Sequence, residues 1–206
     1  MDYVIGIDLD NTIINFDRLI FSVSYDLQYI DKNIPRNKTA IRDRIWTLPD
    51  GDFKWQKVQS IVYGSKITEA GLFPGVRRFL KQTVKKKIPV YIVSHKKLFT
   101  GKSDSGINLR DKAREFLSLN SVSGDKGGFI PQKDVYFENS REDKIRRIIK
   151  LKCTHFIDDL PETFAHVMFP RETVRILFDP HAVYQNPVDV NIMGSWKNIY
   201  DYFYGN

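Results

Sequence analysis

Tyr3-Val4-Ile5-Gly6-Ile7-Asp8-Leu9-Asp10-Asn11-Thr12-Ile13 decides the fold. A short apolar run rich in β-branched residues stops abruptly at two carboxylates and a turn. Such a run reads as a strand buried on both faces of a parallel sheet. Ligands of open α/β sheets sit beyond the carboxyl ends of the strands, so Asp8 and Asp10 emerge where chemistry is expected. Two carboxylates this close repel each other unless a cation or a shared proton compensates. Taken alone, the stretch is also compatible with a plain Asx turn closing the strand.

Downstream, short apolar runs alternate with helical stripes. Pro89-Val90-Tyr91-Ile92-Val93 reads as a second strand ending at Ser94-His95-Lys96-Lys97. Asp134–Phe137, Thr154–Ile157 and Val174–Phe178 follow as the third, fourth and fifth, and the fourth ends at Asp158-Asp159. Helical stripes run through Val76, Phe79, Leu80 and Val84, through Leu109, Ala113, Phe116 and Leu117, through Ile145, Ile148 and Ile149, and through Trp196, Ile199, Tyr200 and Phe203. Ser140 opens the third of these and Pro161 stands near the start of another helix running to Phe164 and Met168. The alternation implies a doubly wound, mainly parallel α/β sheet with helices on both faces.

Residues 17–72 break the alternation. A helix over 16–30, a short one capped by Asn37, and a third from Asp52 to a stop at Gly64 suggest a small helical insert, aromatic-rich through Trp46, Phe53, Trp55 and Tyr63. The expected domains are a core of 1–16 plus 73–206 and a helical cap insert of 17–72. The polar loop 98–108, which contains Lys102, is long for a compact domain.

Composition narrows the class. The 206 residues are 42% hydrophobic and 28% charged, as in a water-soluble globule with a sizeable core. No apolar run approaches a bilayer span, and the opening residues lack a signal-peptide pattern, so a cytoplasmic protein without membrane contact is expected. Cys153 is the only cysteine, which excludes an internal disulfide and suggests a buried thiol. The net charge is +7 and the pI about 9.3, suiting anionic ligands from phosphorylated metabolites to nucleic acid. The cations form no stripe, and Lys85-Lys86-Lys87 reads as a solvated helix end. The four histidines lack metal-ligand spacing.

Asp8, Asp10, Ser94, Lys144 and Asp158-Asp159 would gather at one sheet edge. Carboxylates there suit a hard divalent ion, while a hydroxyl and an ammonium suit a phosphoryl group. Asp158-Asp159 before Leu160-Pro161 could alternatively cap the next helix. In a phosphoacceptor receiver domain the acidic doublet leads and the phosphorylated aspartate follows, the reverse of the order here.

The set resembles the haloacid dehalogenase-like (HAD) hydrolase superfamily. Asp8-Leu9-Asp10-Asn11-Thr12 looks like its first motif, Val93-Ser94 the second, Lys144 the third and Phe156-Ile157-Asp158-Asp159 the fourth, with Arg141 and Arg146 as competitors for the third. The resemblance implies a phosphatase branch with a small C1-type cap. It implies Asp8 as nucleophile and Asp10 as acid and base. Asp8, Asp10 through its carbonyl, Asp158 and Asp159 would hold Mg2+, and Asn11, Ser94 and Lys144 would bind phosphate. The expected function is Mg2+-dependent hydrolysis of a small phosphorylated metabolite. A nucleic-acid end phosphatase and a non-catalytic binding protein of the same fold are the alternatives.

Overall fold

The computed structural model describes residues 3–99, 106–125, 127–185 and 189–205. Lys102 and the rest of 100–105 lie outside the described residues. In chain order the elements are β1 (Ile5–Ile7), β2 (Ile14–Asn15), α1 (Asp17–Asp26), α2 (Lys38–Trp46), α3 (Gly51–Ser60), β3 (Gly71–Leu72), α4 (Val76–Lys85), β4 (Val90–His95) and α5 (Leu109–Leu119). There follow β5 (Val135–Glu138), α6 (Arg141–Lys150), β6 (His155–Asp158), α7 (Pro161–Phe164), β7 (Val174–Phe178), β8 (Asn191–Met193) and α8 (Trp196–Tyr204).

Six strands form one sheet in the order β5-β4-β1-β6-β7-β8, and every pair is parallel. β4 and β5 extend it on one side of β1 and β6 to β8 on the other, so the winding reverses at β1. That is where doubly wound sheets open a crevice. Successive strand residues point to opposite faces, and both faces are packed. Val93, Phe156 and Leu177 join Ile145, Ile148, Phe164 and Phe169 of the α6 and α7 segments in one buried layer. Phe178 turns the other way and meets Phe73 and Trp196 at ring distances of 4.8 and 6.0 Å; Phe79 of α4 meets Trp196 at 5.1 Å. Gly6 is required in β1 because a Cβ there would fall 2.5 Å from the Phe156 ring.

The chain forms two compact units. The first holds the sheet and comprises Met1–Ile14, Leu72–Lys96 and Leu117–Asn206; the second comprises Asn15–Gly71 and Lys97–Phe116. The second therefore includes a segment after β4 as well as the stretch between β1 and α4. Within it, Asn37 caps α2 by accepting from the Ala40 amide at 2.8 Å. α3 begins at Gly51 rather than after Asp52, and a Cβ at Gly51 would lie 2.5 Å from the Ile45 carbonyl oxygen. Gly64 does not end that helix: it sits inside a π-helical turn, Ile61–Ser65, that continues it. Phe16 and Tyr63 meet edge to face at 4.8 Å. Trp55 is buried, whereas Trp46 and Phe53 are about half exposed, so only part of the aromatic set fills this unit's core.

Three further expectations need correction. Ile149 and, on α4, Val84 are about half exposed rather than buried, and Lys144 stands beside Ile145 and Ile148 on the buried stripe of α6. α7 stops at Phe164, well short of Met168. β8 has no apolar run to announce it, since Asn191 and Ile192 are exposed and only Met193 is buried. Cys153 is free and buried as expected. No helix among the described residues is long and apolar enough to cross a membrane.

Candidate active site

Two adjacent parallel strands bring the first carboxylates together. The Asp8 amide donates to the Ile157 carbonyl at 2.8 Å, which sets Asp8, just past β1, beside Asp158 at the end of β6. The Asp158 carboxylate is fixed in turn by accepting from the Leu160 amide at 3.0 Å. Lys144 arrives from the first turns of α6, whose start is held by a reciprocal pair: the Asp143 amide donates to Ser140 Oγ at 3.0 Å and that hydroxyl donates to Asp143 at 2.7 Å. Lys144 Nζ then lies 2.6 Å from Asp8 and 2.7 Å from Asp158. All three side chains are buried. Arg146 is exposed and paired with Glu142 and Asp143, so Lys144 rather than Arg146 meets the carboxylates.

Charge in this cluster is unbalanced. Burial pushes the Asp8 carboxyl up to about 8; Lys144 pulls it down, while Asp158, Asp159 and Asp10 push it further up. Burial works against the charge on Lys144, but Asp158 and Asp8 outweigh it and hold the ammonium above its ordinary range. One ammonium serves several carboxylates, so Asp8 has unmet affinity for a proton or a second cation.

The donor set fits a hard divalent cation. Asp8, Asp158 and Asp159 each offer a carboxylate oxygen, and these atoms lie within 4.8 Å of one another. Opposite ligands on Mg2+ stand about 4.2 Å apart, so small side-chain rotations close the set. No other such group of acidic, histidine or cysteine side chains occurs among the described residues. A cavity of about 510 Å³, lined by Tyr3, Lys87, Pro89 and Tyr204 among others, lies at the starts of β1 and β4, away from these carboxylates.

Asp10 is not part of that carboxylate set. Its side chain is held by Lys96, whose Nζ lies 2.6 and 2.9 Å from the two Asp10 oxygens. Lys96 is a site residue that the sequence reading missed. The available signal was the strand period of two, which places Lys96 on the same face as Ser94. Ser94 is buried near the end of β4, in the strand next to β1.

Asn11 and Thr12 form the turn after Asp10. The Asn11 amide donates to the Ile14 carbonyl, Asn11 adopts a left-handed φ of 62°, and Trp196 Nε1 donates to the Thr12 carbonyl at 2.9 Å. Both polar atoms of the Asn11 side chain and the Thr12 hydroxyl are buried without a protein partner. Buried polar groups are nearly always satisfied, and a polar ligand or ordered water at this turn would complete them.

No protein-family model matches the sequence, and no curated protein is significantly similar to it. Solved structures do share its fold. A candidate phosphoglycolate phosphatase from Lactobacillus plantarum superposes with a TM-score of 0.58 at 14% identity, covering 98% of this chain and 99% of that one. A candidate HAD hydrolase from Bacillus subtilis bound to magnesium gives 0.57 at 12% identity over 99% and 100%. A HAD-family hydrolase from Deinococcus radiodurans with bound phosphate and sodium gives 0.57 at 10% over 98% and 95%. The chain therefore has the fold of the HAD-superfamily hydrolases.

Proposed function

We propose that this HAD-fold chain is a Mg2+-dependent phosphatase that hydrolyses a small phosphate monoester through an aspartyl-phosphate on Asp8. The observation that carries the reading is the buried bridge of Lys144 between Asp8 and Asp158, with Asp159 completing a cation-sized carboxylate set. A bare structural core has no use for several acids around one lysine, because buried ion pairs add little net stability. Magnesium and phosphate in two structures of the same fold, and the phosphatase description of a third, are consistent with it.

In this reading Asp8, Asp158, Asp159 and the Asp10 carbonyl hold Mg2+, which when bound draws negative charge off the phosphoryl oxygens. Ser94, Lys144 and the Asn11 side chain orient the phosphoryl group. A bond forms from Asp8 Oδ to phosphorus as the ester P–O bond breaks, and the Asp10 carboxyl passes its proton to the departing oxygen. Water then attacks the phosphorus of the aspartyl-phosphate and gives its proton to Asp10. Inorganic phosphate leaves and Asp8 is restored. In this reading the helical insert of residues 17–72 plays the part of a cap, and the protein works in the cytoplasm.

Half-exposed Trp46, with Arg42 stacked 4.7 Å from its ring, and Phe53 favour a second reading, a nucleic-acid end phosphatase, since exposed rings can stack on bases. A panel of small phosphate monoesters and a short 3′-phosphorylated oligonucleotide, assayed for free phosphate with Mg2+ and with EDTA, tests both. The first reading expects Mg2+-dependent release from a small ester, lost in Asp8→Asn. Release only from the oligonucleotide favours the second, and release from nothing in the panel contradicts both.

A further inference from the structure

Lys96 is built into the core at a cost, and the proposed chemistry leaves it unused. Its side chain is 3% exposed and that of Asp10 is 19% exposed. Ordering a lysine costs roughly 1.5–2 kcal/mol in rotamer freedom, and withdrawing its charge from water costs more. Both partners are fixed from behind. The Lys96 amide donates to the Glu138 carbonyl at 3.0 Å, tying the end of β4 to β5. Asp10 is bridged to Ile14 across the tight turn. The ammonium reaches both oxygens of one carboxylate and so holds that group in place.

We infer that Lys96 is the positioning residue for Asp10, setting the direction from which that carboxyl meets the departing oxygen. This rests on the phosphatase reading and extends it. The site then divides its two lysines: Lys144 serves the Asp8 and Asp158 side, and Lys96 serves the acid. The Lys96 ammonium also faces the carboxylate that is left when the proton departs. Misplacing a reacting group by about 1 Å costs on the order of 10²-fold in rate, which is the size of effect that losing Lys96 should have on the acid-dependent step.

The acid matters only where the leaving group is poor, and that supplies the test. Wild type, Lys96→Met, Lys96→Arg and Asp10→Asn are compared on an alkyl phosphate and on 2,4-dinitrophenyl phosphate, with Mg2+ present and folding checked by circular dichroism. Under single turnover, which reads leaving-group release alone, Lys96→Met is expected to lose on the order of 10²-fold in maximal rate on the alkyl ester, with little change in half-saturation and little loss on the dinitrophenyl ester. Asp10→Asn should show the same single-turnover pattern, while its steady-state kcat falls on both esters because Asp10 also takes the proton of the attacking water, and Lys96→Arg should recover part of the alkyl rate. Equal single-turnover losses on both esters, or a loss confined to half-saturation, would assign Lys96 to phosphate binding or to the fold and overturn the inference. So would an unchanged alkyl rate. Wild-type protein inactive on both esters removes the phosphatase reading and this inference with it, whereas an active wild type with equal losses removes the inference alone.

Discussion

Lys144 and Asp158 form a 2.7 Å ion pair in which the carboxylate is wholly buried. The same ammonium holds Asp8 at 2.6 Å, so removing it strands two buried carboxylates at once. Lys144→Met should therefore lower stability by about 3–5 kcal/mol in EDTA. Saturating Mg2+ should restore part of that, because a cation that binds only the folded state stabilises it by mass action. Urea melts with and without Mg2+ check this, and a loss below about 1 kcal/mol would mean that the pair is solvated.

Asp8 gives the metal-free protein a definite pH dependence. Its folded pKa, about 8, lies above the ordinary 3.8, so between those values the folded state binds more protons than the unfolded state. Stability should fall as pH rises through that window. The raised Lys144 contributes in the same direction only at higher pH, where the unfolded lysine loses its proton and the folded one keeps it. Urea midpoints in EDTA should decline from pH 5 to pH 8, Asp8→Asn should flatten the decline, and Mg2+ should oppose it by competing with the proton. A midpoint that rises over this range contradicts the assignment.

Cys153 should be inert in the native protein. Burial pushes its thiol up to about 12, so almost no thiolate exists at neutral pH. A chromogenic disulfide reagent should find no reactive thiol until denaturant is added, then one per chain. Rapid native labelling would show that the layer around Phe156 opens.

Gly6→Ala should be destabilising by about 1–3 kcal/mol through overpacking. The new methyl would lie 2.5 Å from Phe156 and 3.0 Å from Cys153. Thermal melts measure it, and an unchanged midpoint would mean that β1 and β6 are looser than described.

Much of this was legible in the chain because the signals are local. Asn37 and Ser140 cap helices through bonds that reach three residues, and the β1 run ends at its carboxylates within a few positions. Ile149 and Lys144 were harder, because a helical stripe read from apolar residues cannot show that a lysine is buried for the sake of carboxylates on other strands. Lys96 was missed for a related reason: its partner, Asp10, lies in the turn beyond a different strand, β1, and only the sheet order makes them neighbours. Gly64 resembled a helix stop until the π turn carried the chain through it, and β8 is too short and too exposed to leave a pattern.

If Asp8 takes the phosphoryl group, the intermediate can be trapped on it. Protein turning over a phosphate ester that it hydrolyses, quenched in acid, reduced with borohydride and digested, should yield a peptide with the mass of homoserine in place of Asp8, the reduction product of aspartyl-phosphate. The same treatment of Asp8→Asn should yield none. Homoserine at another aspartate, or Asp8→Asn hydrolysing the ester at the wild-type rate, would contradict Asp8 as the nucleophile.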